Sequence, residues 1–159
     1  MEVCLMFIFP RLQREHPNKE IEIEEETLVS GNEKIFVIDD EEFIRDLSKE
    51  ILEKYGYIVV MAGDGTEALS IYEKFGKEID LIILDLVMPG IKGEDLLKKI
   101  LEINPEAKVI VSSGYPKEER MNKLIELGAV DFIKKPFQLN KLIKLIRKIL
   151  DESKSKKSN

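Results

Sequence analysis

The run Leu81-Ile82-Ile83-Leu84-Asp85 holds four consecutive apolar residues and ends abruptly in a carboxylate. Four apolar residues without polar alternation fit a parallel strand covered on both faces, and the most apolar run belongs at the centre of such a sheet. Upstream, Ile35-Phe36-Val37-Ile38 and Tyr57 to Met61 read as two further strands. Downstream, Val109-Ile110-Val111 and Val130 to Ile133 read as two more. Between them the period changes to a helical one. Phe43, Ile44, Leu47, Ile51 and Tyr55 form a first apolar stripe, followed by Ala68, Ile71, Tyr72 and Phe75 within Thr66 to Phe75. Leu96, Leu97, Ile100 and Leu101 mark a third helix, which must end before Pro105. Met121, Leu124 and Ile125 mark a fourth, and Leu139, Leu142, Ile143, Ile146, Ile149 and Leu150 a fifth. Gly56, Gly76 and Gly128 stand where the first, second and fourth helices should stop. Five strands alternating with five helices imply an α/β fold: right-handed crossovers and a parallel sheet with helices on both faces.

A chain of 159 residues, 43% hydrophobic and 35% charged, suits one soluble globular domain with a proper core. The formal net charge of -6 argues against a nucleic-acid surface, which needs an excess of Lys and Arg. A single cysteine, Cys4, excludes an internal disulfide and fits a reducing, cytoplasmic setting. The apolar run Val3 to Phe9 is preceded by Glu2 and cut short by Pro10 and Arg11. It is too short to span a membrane and lacks the basic start of a signal peptide, so no membrane association is expected. Residues 1–33 show no sustained periodicity, carry an acidic stretch from Glu20 to Glu26, and read as an arm and linker. Residues 34–150 form the expected domain, and the Ser/Lys-rich residues 151–159 read as a frayed, disordered tail.

Ligands of an open parallel sheet bind outside the carboxyl ends of its strands. Those ends carry Asp39-Asp40 after strand one, Asp85 after strand three, Ser112-Ser113 after strand four and Lys134-Lys135-Pro136 after strand five. Three crowded carboxylates raise one another's pKa unless a cation joins them. Oxygen ligands without His or Cys select a hard ion such as Mg²⁺. A carboxylate beside such an ion can attack a phosphoryl group to give an acyl phosphate, with a Lys and a hydroxyl stabilising charge on the phosphoryl oxygens. Taken singly, each residue has a plainer reading: helix-start acids, a turn Asp, loop hydroxyls, a solvated lysine pair, a core Phe132. Their convergence on one sheet edge favours the chemical reading.

Asp39-Asp40, Asp85-Leu86-Val87-Met88-Pro89-Gly90, Ser113-Gly114 and Lys135-Pro136-Phe137 resemble the signature of the response-regulator receiver family. The resemblance spans Lys34 to about Leu150 and implies a flavodoxin-like, doubly wound (βα)5 three-layer sandwich with sheet order 2-1-3-4-5. It implies that Asp85 accepts a phosphoryl group from the phosphohistidine of a histidine kinase or phosphotransfer protein. Asp39, Asp40, Asp85 and the backbone carbonyl of Val87 would hold Mg²⁺. Lys135 would contact the phosphoryl group, Ser113 would reorient to hydrogen-bond it, and Phe132 would be the switch aromatic that turns inward. Ser113 is preferred to Ser112 because Gly114 follows it, and Lys135 to Lys134 because it directly precedes Pro136, with a cis bond as in the family. Val87 and Tyr115 fall where the family tunes phosphate lifetime; an apolar Val87 cannot orient an attacking water, so slow self-dephosphorylation is expected. The fourth helix, fifth strand and fifth helix would form the surface recognising a downstream partner or a second copy.

Met6-Phe7-Ile8-Phe9-Pro10 also resembles the last strand and proline that close the ATP-binding domain of sensor kinases. That resemblance implies a chain that is, or derives from, the C-terminal receiver of a hybrid kinase. With no domain expected after the fifth helix, no DNA-binding or catalytic output is expected. His16, before Pro17, reads as a surface residue rather than a phosphorylated histidine, and no Gly-rich nucleotide loop is present. Two competing readings are a phosphohydrolase of the haloacid dehalogenase type and a pseudo-receiver that binds partners without phosphorylation. The first needs a second Asp two residues after Asp85, where this chain has Val87. The complete acidic pocket opposes the second.

Overall fold

The computed structural model describes residues 30–114 and 117–157. The elements are β1 (Lys34–Ile38), α1 (Glu42–Lys54), β2 (Ile58–Ala62), α2 (Gly65–Phe75), β3 (Leu81–Asp85), α3 (Gly93–Ile103), β4 (Val109–Ser113), α4 (Glu118–Glu126), β5 (Asp131–Lys134) and α5 (Leu139–Lys157). All strand pairs are parallel and their order is β2-β1-β3-β4-β5. β3 is thus the central strand that its composition indicated, and the expected doubly wound order is the one observed.

Strand side chains alternate between faces, and the apolar runs divide accordingly. Phe36, Ile38, Ile82, Leu84, Val109 and Val111 pack with Ala68 and Tyr72 of α2, Leu96, Leu97 and Ile100 of α3 and Leu124 of α4. Ile35, Val37, Leu81, Ile83, Ile110 and Ile133 pack on the other face with Leu52 of α1 and Leu142, Ile143 and Ile146 of α5. Each fully buried Ile or Leu contributes about 1.5–3 kcal/mol relative to exposure, so two-sided burial makes the uninterrupted strands the stable choice. Among the described residues no helix is long and apolar enough to cross a membrane.

Several local readings are corrected. α5 does not fray at Asp151 but continues to Lys157. Its last turns are held by Arg147 on Asp151 four residues on, by Ser153 Oγ donating to the Ile149 carbonyl, and by Lys154 Nζ donating to Glu33 Oε1 at 2.9 Å. Tertiary contact overrides a composition that reads as a tail. Residues just before Lys34 also pack on the domain rather than standing apart as a linker. The Gly31 amide donates to the Tyr55 carbonyl, the Glu33 carbonyl accepts from the Ile58 amide, and Glu33 is only 8% exposed. Gly56 and Gly128 do end α1 and α4 with positive φ (87° and 112°). Gly76 instead stays right-handed and leads into a 3₁₀ turn, Gly76–Glu78. β2 and β5 each start one residue later than expected, at Ile58 and Asp131. The Met6–Pro10 segment, Cys4, His16 and Tyr115 lie outside the described residues.

Candidate functional site

Because every strand is parallel, the chain leaves each one at the same edge, and the residues just past the last apolar position collect there. The Asp39 amide extends the β1–β2 ladder by donating to the Ala62 carbonyl. Asp85 closes β3 opposite Ser112, and Ser113 pairs with Lys134. The Lys135 amide donates to the Ser113 carbonyl at 2.9 Å, and the Lys135–Pro136 bond is cis.

Asp39 and Asp85 are buried, at 3% and 4% exposure, while Asp40 is exposed. One carboxylate oxygen from each of the three lies within 4.8 Å of the others. Lys135 Nζ donates to Asp39 Oδ2 at 2.5 Å and to Asp85 Oδ2 at 2.9 Å. The opposite oxygens accept from the backbone, Asp39 Oδ1 from the Glu41 amide and Asp85 Oδ1 from the Val87 amide. The Asp40 carboxylate has no partner among the described residues.

Burial pushes the Asp85 carboxyl above the usual range, with the Asp39 charge adding a little and Lys135 and the Val87 amide opposing it. For Lys135 burial is the largest single effect and pulls its pKa down. The hydrogen bonds to Asp39 and Asp85 together outweigh it, so the ammonium is held above its usual range. Three carboxylates against one ammonium leave the ionised cluster two negative charges in excess. An all-oxygen donor set with that excess, one member of which has no partner among the described residues, fits a hard divalent cation.

Above the carboxylates opens a cavity of about 980 Å³ lined by Asp40, Asp85, Val87, Ser113 and Lys135, and walled by apolar side chains of α1 and α5. Ser113 lines it, whereas Ser112 turns its hydroxyl to the Leu84 carbonyl. Phe132 is half-buried and packs against the core beneath α2, α3 and α4. Val87 is 64% exposed at the cavity mouth.

Three features of the site escaped the sequence. Arg45 Nη1 donates to the Asp39 carbonyl at 2.6 Å and so fixes the turn that carries both N-terminal carboxylates. Gly93 admits the start of α3 against the β3 exit: a Cβ there would lie 2.6 Å from Leu86 Cα and 3.0 Å from the Asp85 carbonyl oxygen. Arg120 Nε donates to Glu94 Oε1 at 2.9 Å, tying α4 to α3 beside the cavity.

The family description of the response regulator receiver domain matches residues 35–147. The chain belongs to the response-regulator receiver family. The chemotaxis protein CheY of Thermotoga maritima is 36% identical over 118 residues, which are 73% of this chain and 96% of that protein. The sensor kinase CckA of Brucella abortus is 33% identical over 134 residues, 84% of this chain but only 14% of the kinase. The crystal structure of a CheX-CheY-BeF3-Mg complex from Borrelia burgdorferi is similar, with a TM-score of 0.71 and 29% identity over 74% of this chain and 88% of that one. The receiver domain is the phosphoacceptor module of two-component signalling, and the acidic pocket this role requires is present here.

Proposed function

We propose that this receiver takes a phosphoryl group from the phosphohistidine of a histidine kinase or phosphotransfer protein onto Asp85 and thereby changes a partner-binding surface. The observation that carries the assignment is the position of Asp85. It is a buried carboxylate at the floor of the cavity, 2.9 Å from the Lys135 ammonium and beside Asp39 and Asp40.

An Asp85 carboxylate oxygen attacks phosphorus, the bond between phosphorus and the imidazole nitrogen breaks, and the bonding pair leaves with the imidazole. Lys135, already poised between two carboxylates, offsets charge on the phosphoryl oxygens, and Ser113 supplies a hydroxyl from the cavity wall. Asp39, Asp40, Asp85 and the Val87 carbonyl would hold Mg²⁺, which when bound would neutralise the carboxylates and draw charge from the phosphoryl oxygens. The similar Borrelia complex carries Mg together with BeF3, which supports this reading. Movement of Ser113 toward the new dianion frees room around half-buried Phe132, a population shift rather than a new fold. The readout surface comprises α4, β5 and α5, where Ile125 of α4 is exposed. It would receive a downstream protein or a second copy. CckA similarity supports, for this chain, a place within or beside a hybrid kinase, and a cytoplasmic location follows as part of the same reading.

Incubation with acetyl phosphate and Mg²⁺ should add one acid-stable, base-labile phosphoryl group, mapped by mass spectrometry to the peptide containing Asp85. Asp85→Asn should reduce labelling at least about 100-fold, as expected when the attacking carboxylate is removed. Undiminished labelling of that variant would assign the chemistry to another residue. Phosphoryl lifetime gives a separate check. Val87 presents no group that can hold a water, so Val87→Asn should accelerate acyl-phosphate decay about fivefold to tenfold, the effect of one new hydrogen bond of about 1 kcal/mol. An unchanged decay rate would remove Val87 from the account of lifetime.

A further inference from the structure

We propose that Arg120 is a phosphoryl-binding residue that Glu94 holds in reserve until Asp85 is modified. The inference rests on Asp85 as the phosphoacceptor. Arg120 sits in the first turn of α4 and Glu94 in the first turn of α3, so their contact crosses the gap between the two segments that leave β3 and β4 beside the site. A guanidinium offers five N–H donors in a rigid fork. Arg120 uses one, the Nε bond to Glu94, and its guanidinium makes no other hydrogen bond among the described residues. Its side chain is 40% exposed and, with Asp85, Val87 and Ser113, lines the cavity above the carboxylates. An arginine whose role was only to tie two helices would commit its fork to the carboxylate on both arms. Here only Nε is engaged among the described residues, and the residue lines the cavity with its Nη donors uncommitted to Glu94.

Phosphorylation changes what the cavity offers that fork. Asp85 goes from one carboxylate charge to an acyl phosphate bearing up to two, with oxygens that accept charged hydrogen bonds. Lys135 is already divided between Asp39 and Asp85 and cannot meet all of them. Lys134 also reaches the cavity rim, but an ammonium acts as a point charge, whereas a guanidinium engages two phosphoryl oxygens side by side. The partly exposed Glu94 contact, made through one guanidinium nitrogen, is closer to the surface ion pairs that contribute little than to a buried pair. Exchange of Glu94 for the phosphoryl oxygens pulls the first turn of α4 away from α3. The readout helix then responds to Asp85 directly, alongside any movement of Ser113 and Phe132.

The decisive measurement is the affinity for beryllofluoride, a phosphoryl mimic, in saturating Mg²⁺, by ¹⁹F NMR and calorimetry on the full chain. Arg120→Ala should weaken binding about tenfold, the loss of one charge-assisted bond pair. Glu94→Gln should tighten it about threefold, because the fork is released from its competitor, and should have no effect in an Arg120→Ala background. Arg120→Lys should fall between wild type and alanine. A purely structural tie predicts something different: both single variants remove the same bridge and weaken binding alike. That pattern, or unchanged affinity in Arg120→Ala, overturns the proposal. A wild-type chain that takes neither beryllofluoride nor an acetyl-phosphate label would instead overturn Asp85 as phosphoacceptor, and the role of Arg120 with it.

Discussion

Lys135→Met should lower the unfolding free energy by about 3–5 kcal/mol in Mg²⁺-free buffer at neutral pH, the cost of leaving buried charge without its partner. The lysine bridges two carboxylates that are almost wholly enclosed, and methionine keeps its length but not its charge. Asp39 and Asp85 would then face each other with no counterion between them. A divalent cation should repair much of this. At a hundred times its dissociation constant it contributes about 2.7 kcal/mol to the state that binds it, and the variant should gain more from it than wild type does. Urea denaturation with and without excess Mg²⁺ measures both quantities. A variant as stable as wild type, or one indifferent to Mg²⁺, would show that the ammonium is not what reconciles these carboxylates.

The second large effect lies at the other end of the sheet. Arg147 engages Glu33 through two nitrogens, Nη1 at 3.0 Å and Nη2 at 2.8 Å, and Lys154 adds a third contact. The Arg147 hydrogen bond, aided by Lys154 and opposed by burial, holds the Glu33 carboxyl at about 2 against an ordinary 4.5. Arg147 is correspondingly raised by its bond to Glu33. A depressed carboxyl favours the folded state when ionised. Its contribution is therefore complete above pH 4.5 and disappears as pH falls toward 2, amounting to roughly 3 kcal/mol at the 1.36 kcal/mol carried by each pKa unit. Glu33→Gln should be less stable than wild type at pH 7 by about that amount, and the two should converge near pH 2. Thermal or urea unfolding across that window tests the sign. A constant gap down to pH 2 would assign the loss to packing rather than to charge.

How much of this is readable from sequence depends on what kind of signal a residue leaves. β1, β3 and β4 announce themselves because burial on both faces removes polar residues from the run, and the carboxyl-end residues are then found at the position where each run stops. Lys135 is separable from Lys134 by its neighbour Pro136, and Ser113 from Ser112 by Gly114; Lys135 is the one that meets Asp39 and Asp85, and Ser113 the one that lines the cavity. The long-range polar pairs leave no such trace. Arg45, Glu94, Arg120, Glu33 and Arg147 are ordinary members of a chain in which 35% of residues are charged, and no periodicity marks which of them meet. The length of α5 is hidden for the same reason. The residues after Leu150 look like a solvated tail unless one knows that Glu33 waits beside Lys154. Gly93 could have been suspected, since a glycine opening a helix is unfavourable without a packing reason.

The Glu33 contacts fasten the strand that enters the sheet to the last turns of the helix that leaves it, at the pole away from Asp85. Fluorescent labels or fusion partners attached near both described ends would therefore ride on one rigid seam, blind to phosphoryl transfer and sensitive to melting. A reporter of signalling has to be placed on α4, where the opposite pole makes itself felt.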